Sequence, residues 1–295
     1  MKRFLIIGCG DVGERLVRRY RQQAQFYALT RSATRAAHLR ELGVTPIVGD
    51  LDRPETLLRL PRVNGVFHFA PPPTEGMSDP RTKHLLRALA CVRYPERVIY
   101  ISTSGVYGDC GGAWVLESRT PAPVNARARR RVDAEMQLRR WGAKRQVTVA
   151  ILRAPGIYAA DRLPLERIRR GTPALIAEDD SYTNHIHADD LARLAWAAMF
   201  RARPQRIYHA VDNQPLKMGD WFDSCADAFG LPRPPRVSRG AAEGLLSEAL
   251  LSFLRESRRL SNRRATSELR FRYLYPDSYS MLRSVGTGNH VGESR

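Results

Sequence analysis

The feature that most constrains this chain is a glycine pattern near its start, Gly8-Cys9-Gly10-Asp11-Val12-Gly13. It follows an apolar run at residues 4–8, which predicts a buried strand, and it leads into residues 12–23, where apolar side chains recur at helical spacing. In such a unit the first glycine permits a tight turn, the second lets the backbone approach a pyrophosphate, and the third lets helix and strand pack closely. The pattern therefore predicts a dinucleotide site at a helix N-terminus, unless it is a glycine-rich turn that binds nothing.

Strand and helix patterns alternate through the first half of the chain. This alternation predicts an α/β fold, a Rossmann-type doubly wound parallel sheet with helices on both faces. The predicted strands are residues 4–8, 25–30, 44–48, 65–70, 97–102 and 146–152, and the predicted helices are residues 12–23, 33–42, 54–60, 82–91 and 125–141.

Beyond about residue 153 prolines and glycines interrupt the pattern, which predicts a smaller C-terminal substrate-binding lobe. We expect residues 1–153 to form the Rossmann domain, with 188–212 packed on it. Residues 154–187 and 213–285 would form the small lobe, and 286–295 a flexible tail. Within these parts we expect helices at 190–200 and 241–259 and a strand at 206–211.

The chain is strongly basic, with 48 Lys and Arg residues, 30 Asp and Glu residues and a formal net charge of +18. Only Lys2, Lys83, Lys144 and Lys217 are lysines, and the arginines are spread over the whole length. A nucleic-acid-binding protein usually gathers its basic residues on one face, so we do not expect a nucleic-acid partner. Scattered arginine is typical of a GC-rich genome, although clusters at residues 127–131 and 258–264 keep a polyanion partner as an open alternative.

Membrane and disulfide-rich classes are not expected. No stretch of 18 apolar residues exists, and the first apolar run is too short for a signal peptide, which predicts a cytoplasmic protein without a membrane partner. The four cysteines form no C-x-x-C pair and show no metal-ligand spacing, which favours a reducing compartment without disulfides.

The end of the second predicted strand indicates which dinucleotide is bound. It reads Leu29-Thr30-Arg31-Ser32, without the Asp or Glu that usually accepts a hydrogen bond from the ribose 2′-hydroxyl of NAD. Arg31 can instead contact a 2′-phosphate through two parallel hydrogen bonds. The sequence therefore predicts NADP rather than NAD, unless Arg31 is simply one more surface arginine.

Several further motifs follow in a characteristic order. With them residues 1–285 resemble the extended and atypical short-chain dehydrogenase/reductases, in the NAD(P)-dependent epimerase/dehydratase family. Besides the glycine loop, the motifs are Gly49-Asp50-Leu51, Val66-Phe67-His68-Phe69-Ala70, Ser102-Thr103-Ser104-Gly105-Val106-Tyr107-Gly108, Leu152-Arg153-Ala154-Pro155-Gly156-Ile157-Tyr158, His185-Ile186-His187-Ala188-Asp189-Asp190-Leu191-Ala192 and Ser261-Asn262-Arg263-Arg264.

The resemblance implies roles for individual residues. Thr103 would orient the reacting hydroxyl or carbonyl, and Tyr107 is a second catalytic candidate that could equally pack beside the site. His185 and His187 would lie in a loop before a helix capped by Asp189 or Asp190, so no metal is expected. The cofactor-binding residues would be Gly8, Gly10, Asp11, Val12, Gly13, Arg31, Asp50, Leu51, Ala70 and Pro71.

The resemblance also implies an oxidoreductase acting on a small carbonyl, hydroxyl or nucleotide-sugar-like substrate. Many relatives pair through the helices around residues 80–92 and 125–141, so a homodimer is a corresponding expectation.

The chain departs from the family at the residues that move the proton. Members use Tyr-x-x-x-Lys on one helix face, but no tyrosine here has a lysine four residues later, and the two positions align with Arg127 and Arg131. Arginine stays protonated and cannot act as an ordinary proton shuttle. Three alternatives remain: a proton from another residue, a non-catalytic NADP-sensing or interaction protein, or an arginine-dependent reaction on an anionic substrate. The candidates for the proton are Tyr107, Tyr158, His68 and His187.

Overall fold

A computed structural model describes residues 1–289, and it shows a central sheet of seven parallel strands. The strands are β1 (Lys2–Ile7), β2 (Ala24–Thr30), β3 (Thr45–Val48), β4 (Gly65–His68), β5 (Arg97–Thr103), β6 (Thr148–Ala154) and β7 (Arg206–His209). Their order across the sheet is β7-β6-β5-β4-β1-β2-β3. The order reverses direction between β1 and β4, which confirms the predicted doubly wound Rossmann-type fold and marks the usual binding crevice of such sheets.

Helices cover both faces of the sheet. They are α1 (Asp11–Tyr20), α2 (Ala33–Glu41), α3 (Pro80–Ala90), α4 (Ala126–Arg145), α5 (Leu165–Arg169), α6 (Ala188–Arg201), α7 (Met218–Ala228), α8 (Arg239–Leu245), α9 (Glu248–Leu254), α10 (Arg263–Glu268) and α11 (Ser278–Asn289). Phe4 and Ile6 point into the core under α1 and α6, and Leu5 and Ile7 into the core under α3 and α4. Burial on both faces explains why the first strand is a continuous apolar run.

A second lobe lies at the carboxyl ends of the strands and has its own small core, with Tyr158, Trp221, Phe222 and Met281 among its members. Four pairs of short strands connect the segments of this part of the chain. They pair Trp114–Val115 with Arg259–Leu260, Gly156–Tyr158 with His185–His187, Ala174–Leu175 with Arg236–Val237, and Tyr182–Thr183 with Leu216–Lys217.

Three local predictions were wrong. The predicted helix at 54–60 is a single 3₁₀ turn at Pro54–Leu57. The predicted helix at 241–259 is two helices, α8 and α9, because the backbone is extended at Leu246 and Ser247. The helix near residue 190 begins at Ala188 and is capped by the ring of His187, which accepts a hydrogen bond from the Asp189 amide at 3.2 Å, not by Asp189 or Asp190.

The tail predicted at 286–295 overlaps the last helix. Helix α11 continues to Asn289, and the rest of the predicted tail lies outside the described residues.

None of the helices between residues 1 and 289 combines the length and the apolar character that a membrane crossing requires.

Candidate cofactor and substrate cleft

The three glycines of the loop after β1 meet three different steric demands. Gly8 has φ +84°, and a Cβ there would lie 2.5 Å from the backbone nitrogen of Ala70. A Cβ at Gly13 would lie 3.2 Å from the sulfur of Cys9, so helix α1 packs close to the loop. A Cβ at Gly10 would meet no atom within 4 Å, so the space in front of this residue is open. That open space faces the first turn of α1, whose free N–H groups favour anions, and the loop therefore fits a dinucleotide pyrophosphate.

A cavity of about 270 Å³ continues from the glycine loop across the ends of β2 and β3. It is lined by Ile7, Gly8, Leu29, Thr30, Arg31, Gly49, Asp50, Leu51, Ala70, Pro71 and Arg81. Six of the residues assigned to the cofactor from the sequence thus lie around one cavity. Arg81 borders it in a fixed position, because it pairs with Asp52 at 2.6 Å and donates to the carbonyl of Pro71 at 3.2 Å.

Besides Arg81, two further arginines lie near this cavity, and only one of them has no ion-pair partner among the described residues. Arg35 donates to the carbonyl of Cys9 and pairs with Glu14. Arg31 is exposed, lines the cavity, and has no hydrogen-bond or ion-pair partner within residues 1–289. Arg31 is therefore the guanidinium available to a phosphate group at this end of the site.

An ion-pair cluster joins the glycine loop to the second lobe. Arg15 pairs with Asp11 at 2.8 Å, with Asp161 at 2.9 Å and with Asp189 at 2.9 Å, and Arg162 pairs with Asp11 at 2.7 Å. Burial by itself would raise the pKa of Asp11, but the hydrogen bonds and charges of Arg15 and Arg162 outweigh it and lower that pKa. Asp11 thus stays ionised, and its carboxylate is committed to Arg15 and Arg162.

A cleft of about 480 Å³ lies between the two lobes. Its walls come from the end of β5, the start of α4, the chain after β6, and the segment after α9. The lining residues are Thr103, Ser104, Gly105, Arg127, Arg131, Pro155, Gly156, Ile157, Tyr158, Arg162, Leu163, Pro164, Tyr182, Thr183, Asn184, His185, Met218, Trp221, Phe253, Glu256 and Arg258. Thr103 and the two arginines at the family's Tyr and Lys positions therefore face one cavity.

Thr103 and Glu256 approach the same glycine in this cleft. The Thr103 hydroxyl accepts a hydrogen bond from the Gly105 amide at 3.2 Å, which leaves its own proton free to donate. A Cβ placed on Gly105 would lie 3.5 Å from the Thr103 hydroxyl and 3.9 Å from one Glu256 carboxylate oxygen. Arg258 holds that same oxygen at 2.9 Å and also donates to the carbonyl of Gly108 at 2.7 Å. The site thus presents a hydroxyl donor and an anchored carboxylate around the same glycine.

Arg127 and Arg131 lie one helical turn apart at the start of α4. Arg131 donates through one nitrogen to the carbonyl of Ile101 at 2.7 Å and to the hydroxyl of Tyr100 at 3.1 Å. Arg127 is exposed and lies over the ring of Phe253, 4.6 Å from its centre. No acceptor for the Arg127 guanidinium occurs in the described part of the chain, so its donors point into an open cleft.

Tyr107 lies beneath the cleft rather than in it. It is 1% exposed, and its hydroxyl is 2.6 Å from Nε2 of His209. Burial lowers the pKa of His209 to about 3, so the ring is neutral. Its Nδ1–H donates to the carbonyl of Ser261 at 2.9 Å, and Nε2 accepts the Tyr107 proton. Burial also raises the pKa of Tyr107 to about 12, so the structure gives Tyr107 a packing role beside the site.

Of the other candidates for the proton, only Tyr158 reaches the cleft. Burial and the nearby carboxylates raise its pKa, which makes it a weak acid. His68 is buried and lies 3.0 Å from the hydroxyl of Thr82, away from the cleft. His187 caps α6 and stacks on Tyr275 with ring centres 3.6 Å apart. The histidines therefore serve the packing of the two lobes.

The sequence analysis missed Glu256, Arg258 and Trp221, which line the cleft. They belong to the second lobe and lie more than a hundred residues beyond Thr103 in the chain. Arg258 belongs to the basic cluster at 258–264, but no motif places any of the three residues in the cleft, so only the fold reveals their proximity to β5. The sequence does not predict the contact of Arg162 with Asp11 either.

The sequence model of the NAD dependent epimerase/dehydratase family matches residues 4–210. The chain belongs to this family. The predicted resemblance is thereby confirmed.

Solved structures extend the comparison over the whole chain. A conserved protein of unknown function from Silicibacter pomeroyi is 28% identical, with a TM-score of 0.81 over 98% of this chain and 99% of that one. A putative NAD-dependent epimerase/dehydratase from Methylobacillus flagellatus is 25% identical, with a TM-score of 0.73 over 98% and 99%. The UDP-glucose 4-epimerase of Thermotoga maritima, solved with UDP-glucose, shares the fold at 16% identity, with a TM-score of 0.77 over 99% and 100%. No curated protein sequence matches the chain.

Proposed function

We propose that this protein is an NADP-dependent oxidoreductase of the epimerase/dehydratase type, acting on a small carbonyl, hydroxyl or nucleotide-sugar-like substrate. The observation that carries the proposal is the set of three openings that follow strands of the sheet: the cavity beside Arg31, the open space at Gly10 and the cleft that Thr103 borders. Together they suit a dinucleotide with its adenosine end at Arg31 and its nicotinamide towards Thr103.

The residues of the cleft supply what the hydride chemistry needs. NADP, when bound, supplies the carrier that accepts or donates the hydride. Thr103 donates a hydrogen bond to the substrate oxygen and fixes its position. Glu256 is the only carboxylate among the described residues that line the cleft. In the oxidation of a substrate hydroxyl to a carbonyl, Glu256 would accept the O–H proton, while bound NADP⁺ would supply the hydride acceptor for the C–H hydrogen.

A second candidate function is a non-catalytic NADP sensor. The observation that favours it is the pair of arginines at the Tyr and Lys positions, because neither guanidinium can exchange a proton at neutral pH. The sensor and the enzyme share the cofactor site and differ only in turnover.

The first test is calorimetric titration of the purified protein with NADPH and with NADH, after a check that no cofactor co-purifies. We expect tight NADPH binding and weaker NADH binding. Absence of binding for both would overturn the proposal.

The second test separates enzyme from sensor. NADPH consumption is screened against small carbonyl compounds, with Glu256→Gln as the variant. An enzyme loses turnover in this variant and keeps its NADPH affinity, whereas a sensor shows no turnover in either protein.

A further inference from the structure

We infer that the substrate carries a carboxylate or phosphate close to its reacting carbon and that Arg127 and Arg131 bind this anion. The inference rests on the proposed function for the reaction, and it names the substrate class of the same cleft. The observations are the charge balance of the cleft, the free donors on α4 and the position of these donors beside Thr103.

The charge of the cleft is unbalanced. Four arginines line it, namely Arg127, Arg131, Arg162 and Arg258, against the single carboxylate of Glu256. Arg258 is neutralised by Glu256 at 2.9 Å, and Arg162 by Asp11 at 2.7 Å. Neither Arg127 nor Arg131 has a carboxylate within ion-pair distance in residues 1–289, although the buried carboxyl of Asp79 interacts electrostatically with Arg131. Positive charge, above all that of Arg127, therefore remains for a ligand to meet.

Without a ligand, the charge imbalance at the start of α4 destabilises this helix. No acidic residue occupies the first turn of α4, although carboxylates are favoured there and cations are not. Arg127 and Arg131 are also like charges spaced four residues apart, which destabilises a helix. A bound anion relieves both penalties, because it faces the positive end of the helix and lies between two guanidiniums.

The donors are free and partly oriented. One nitrogen of the Arg131 guanidinium donates to the carbonyl of Ile101 and the hydroxyl of Tyr100, and these hydrogen bonds orient the group. The other nitrogens of this guanidinium have no acceptor in the described chain. The Arg127 guanidinium lies over the ring of Phe253, and none of its N–H groups donates to a protein acceptor within residues 1–289. Two planar forks of this kind match the paired oxygens of a carboxylate or phosphate.

The residues proposed to bind the anion and the residues proposed to hold the reacting group line the same cleft. Thr103 and Glu256 border the same cavity as the two arginines. A hydroxyl or carbonyl held by Thr103 therefore lies on the same small molecule as the anion. Trp221, Phe253 and Met218 provide apolar surface for the remainder of the substrate.

The test is calorimetric titration of the full-length protein, without cofactor, with malonate and with inorganic phosphate. Malonamide, which has the same shape as malonate but no charge, is the ligand control. We expect Arg127→Gln to weaken both anions at least tenfold. Arg129→Gln is the matched control, because Arg129 is exposed on the same helical turn and does not line the cleft. It should change both affinities less than twofold.

Several outcomes would overturn the inference: no anion binding to the wild-type protein, equal affinities in the Arg127 and Arg129 variants, or malonamide binding as tightly as malonate. Phosphate binding that is lost in Gly10→Val and kept in Arg127→Gln would place the anion at the glycine loop and would overturn the inference as well.

Failure of the inference and failure of the proposed function are distinguishable. Arg127-dependent malonate binding without NADPH binding removes the cofactor proposal and keeps the anion site. NADPH binding without Arg127-dependent malonate binding keeps the cofactor proposal and removes the anion site.

Discussion

The cavity beside Arg31 and the cleft that Thr103 borders are built in opposite ways. Every residue that lines the cavity beside Arg31 falls between Ile7 and Arg81, within a few consecutive strand–helix units. The cleft draws its lining from Thr103 to Arg258, from loops and short strands that belong to both lobes. Local spacing therefore determines the first region, and tertiary packing determines the second. The four predictions below test this difference, and they run from the largest effect to the smallest.

The buried ion pair beneath the cleft should give the largest effect. Arg153 and Glu135 are joined by two hydrogen bonds, of 3.1 and 2.6 Å, and their side chains are 2% and 4% exposed. Glu135→Ala leaves Arg153 buried without its partner, and we expect a loss of about 3–5 kcal/mol in the free energy of unfolding, measured in urea. The control is Glu166→Ala, since the pair of Glu166 with Arg170 is exposed and should contribute about 1 kcal/mol or less. Equal losses in the two variants would contradict a packing-determined cleft.

Gly10→Val should abolish cofactor binding without harming the fold. The side chain would enter space that no protein atom occupies, where the proposed pyrophosphate lies. We expect a loss of about 100-fold in NADPH affinity by calorimetry, equivalent to about 2.7 kcal/mol, with an unchanged unfolding transition. Gly240→Ala also adds atoms in open space, far from the loop, and should keep wild-type affinity. Unchanged NADPH binding in Gly10→Val would refute the assignment of the loop.

Arg31→Asp should move the preference from NADP towards NAD. The variant loses the guanidinium proposed for the 2′-phosphate and gains a carboxylate that accepts from a 2′-hydroxyl. We expect the ratio of NADPH to NADH affinity to fall about tenfold or more, the size of one lost charge-assisted contact. Arg40→Asp makes the same change of charge at an exposed position of α2 and should leave the ratio unaltered. A ratio that is the same in both variants would make Arg31 ordinary surface charge.

The Asp11 ion pairs should give the smallest effect, and only in acid. The folded-state pKa of Asp11 is lowered, so its contribution to stability is present above the ordinary carboxyl pKa of 3.8 and is lost as the pH falls through the lowered value. Because the Asp11 side chain is 36% exposed, solvent screens its ion pairs, and we expect a contribution of about 0.5 kcal/mol. Asp11→Asn should lower the free energy of unfolding at pH 7 and barely change it at pH 2. Glu178→Gln, an exposed carboxyl, is the control. An equal loss at both pH values would show that the effect is not ionic.

The same contrast explains how far the sequence predicts this molecule. The glycine loop, Arg31 and Asp50 were placed around one crevice because each follows a strand of the parallel sheet, and the carboxyl ends of such strands meet at one edge. Arg127 and Arg131 were placed in the cleft by the family pattern. The sequence does not predict Glu256 as a residue of the cleft, because its proximity to Thr103 depends on the segment after α9 returning to β5.

The local errors have physical causes of the same kind. Leu246, Leu250 and Leu254 keep a helical spacing across the break between α8 and α9, so apolar periodicity alone predicts one helix. The imidazole of His187 replaces the expected Asp cap because Asp190 is fully buried and accepts from the amides of Leu274 and Tyr275 instead. Tyr107 has the sequence position of a site residue, but its hydroxyl is committed to His209.

The pairing of Trp114–Val115 with Arg259–Leu260 determines when the cleft can form during synthesis. A strand that leaves the ribosome early finds its partner only after most of the remaining chain has been translated. The cavity beside Arg31, by contrast, has all of its strands available once residue 103 has emerged. Contacts between nearby segments also form faster than those that close long loops. A nascent chain would therefore be able to hold a nucleotide well before it could hold a substrate.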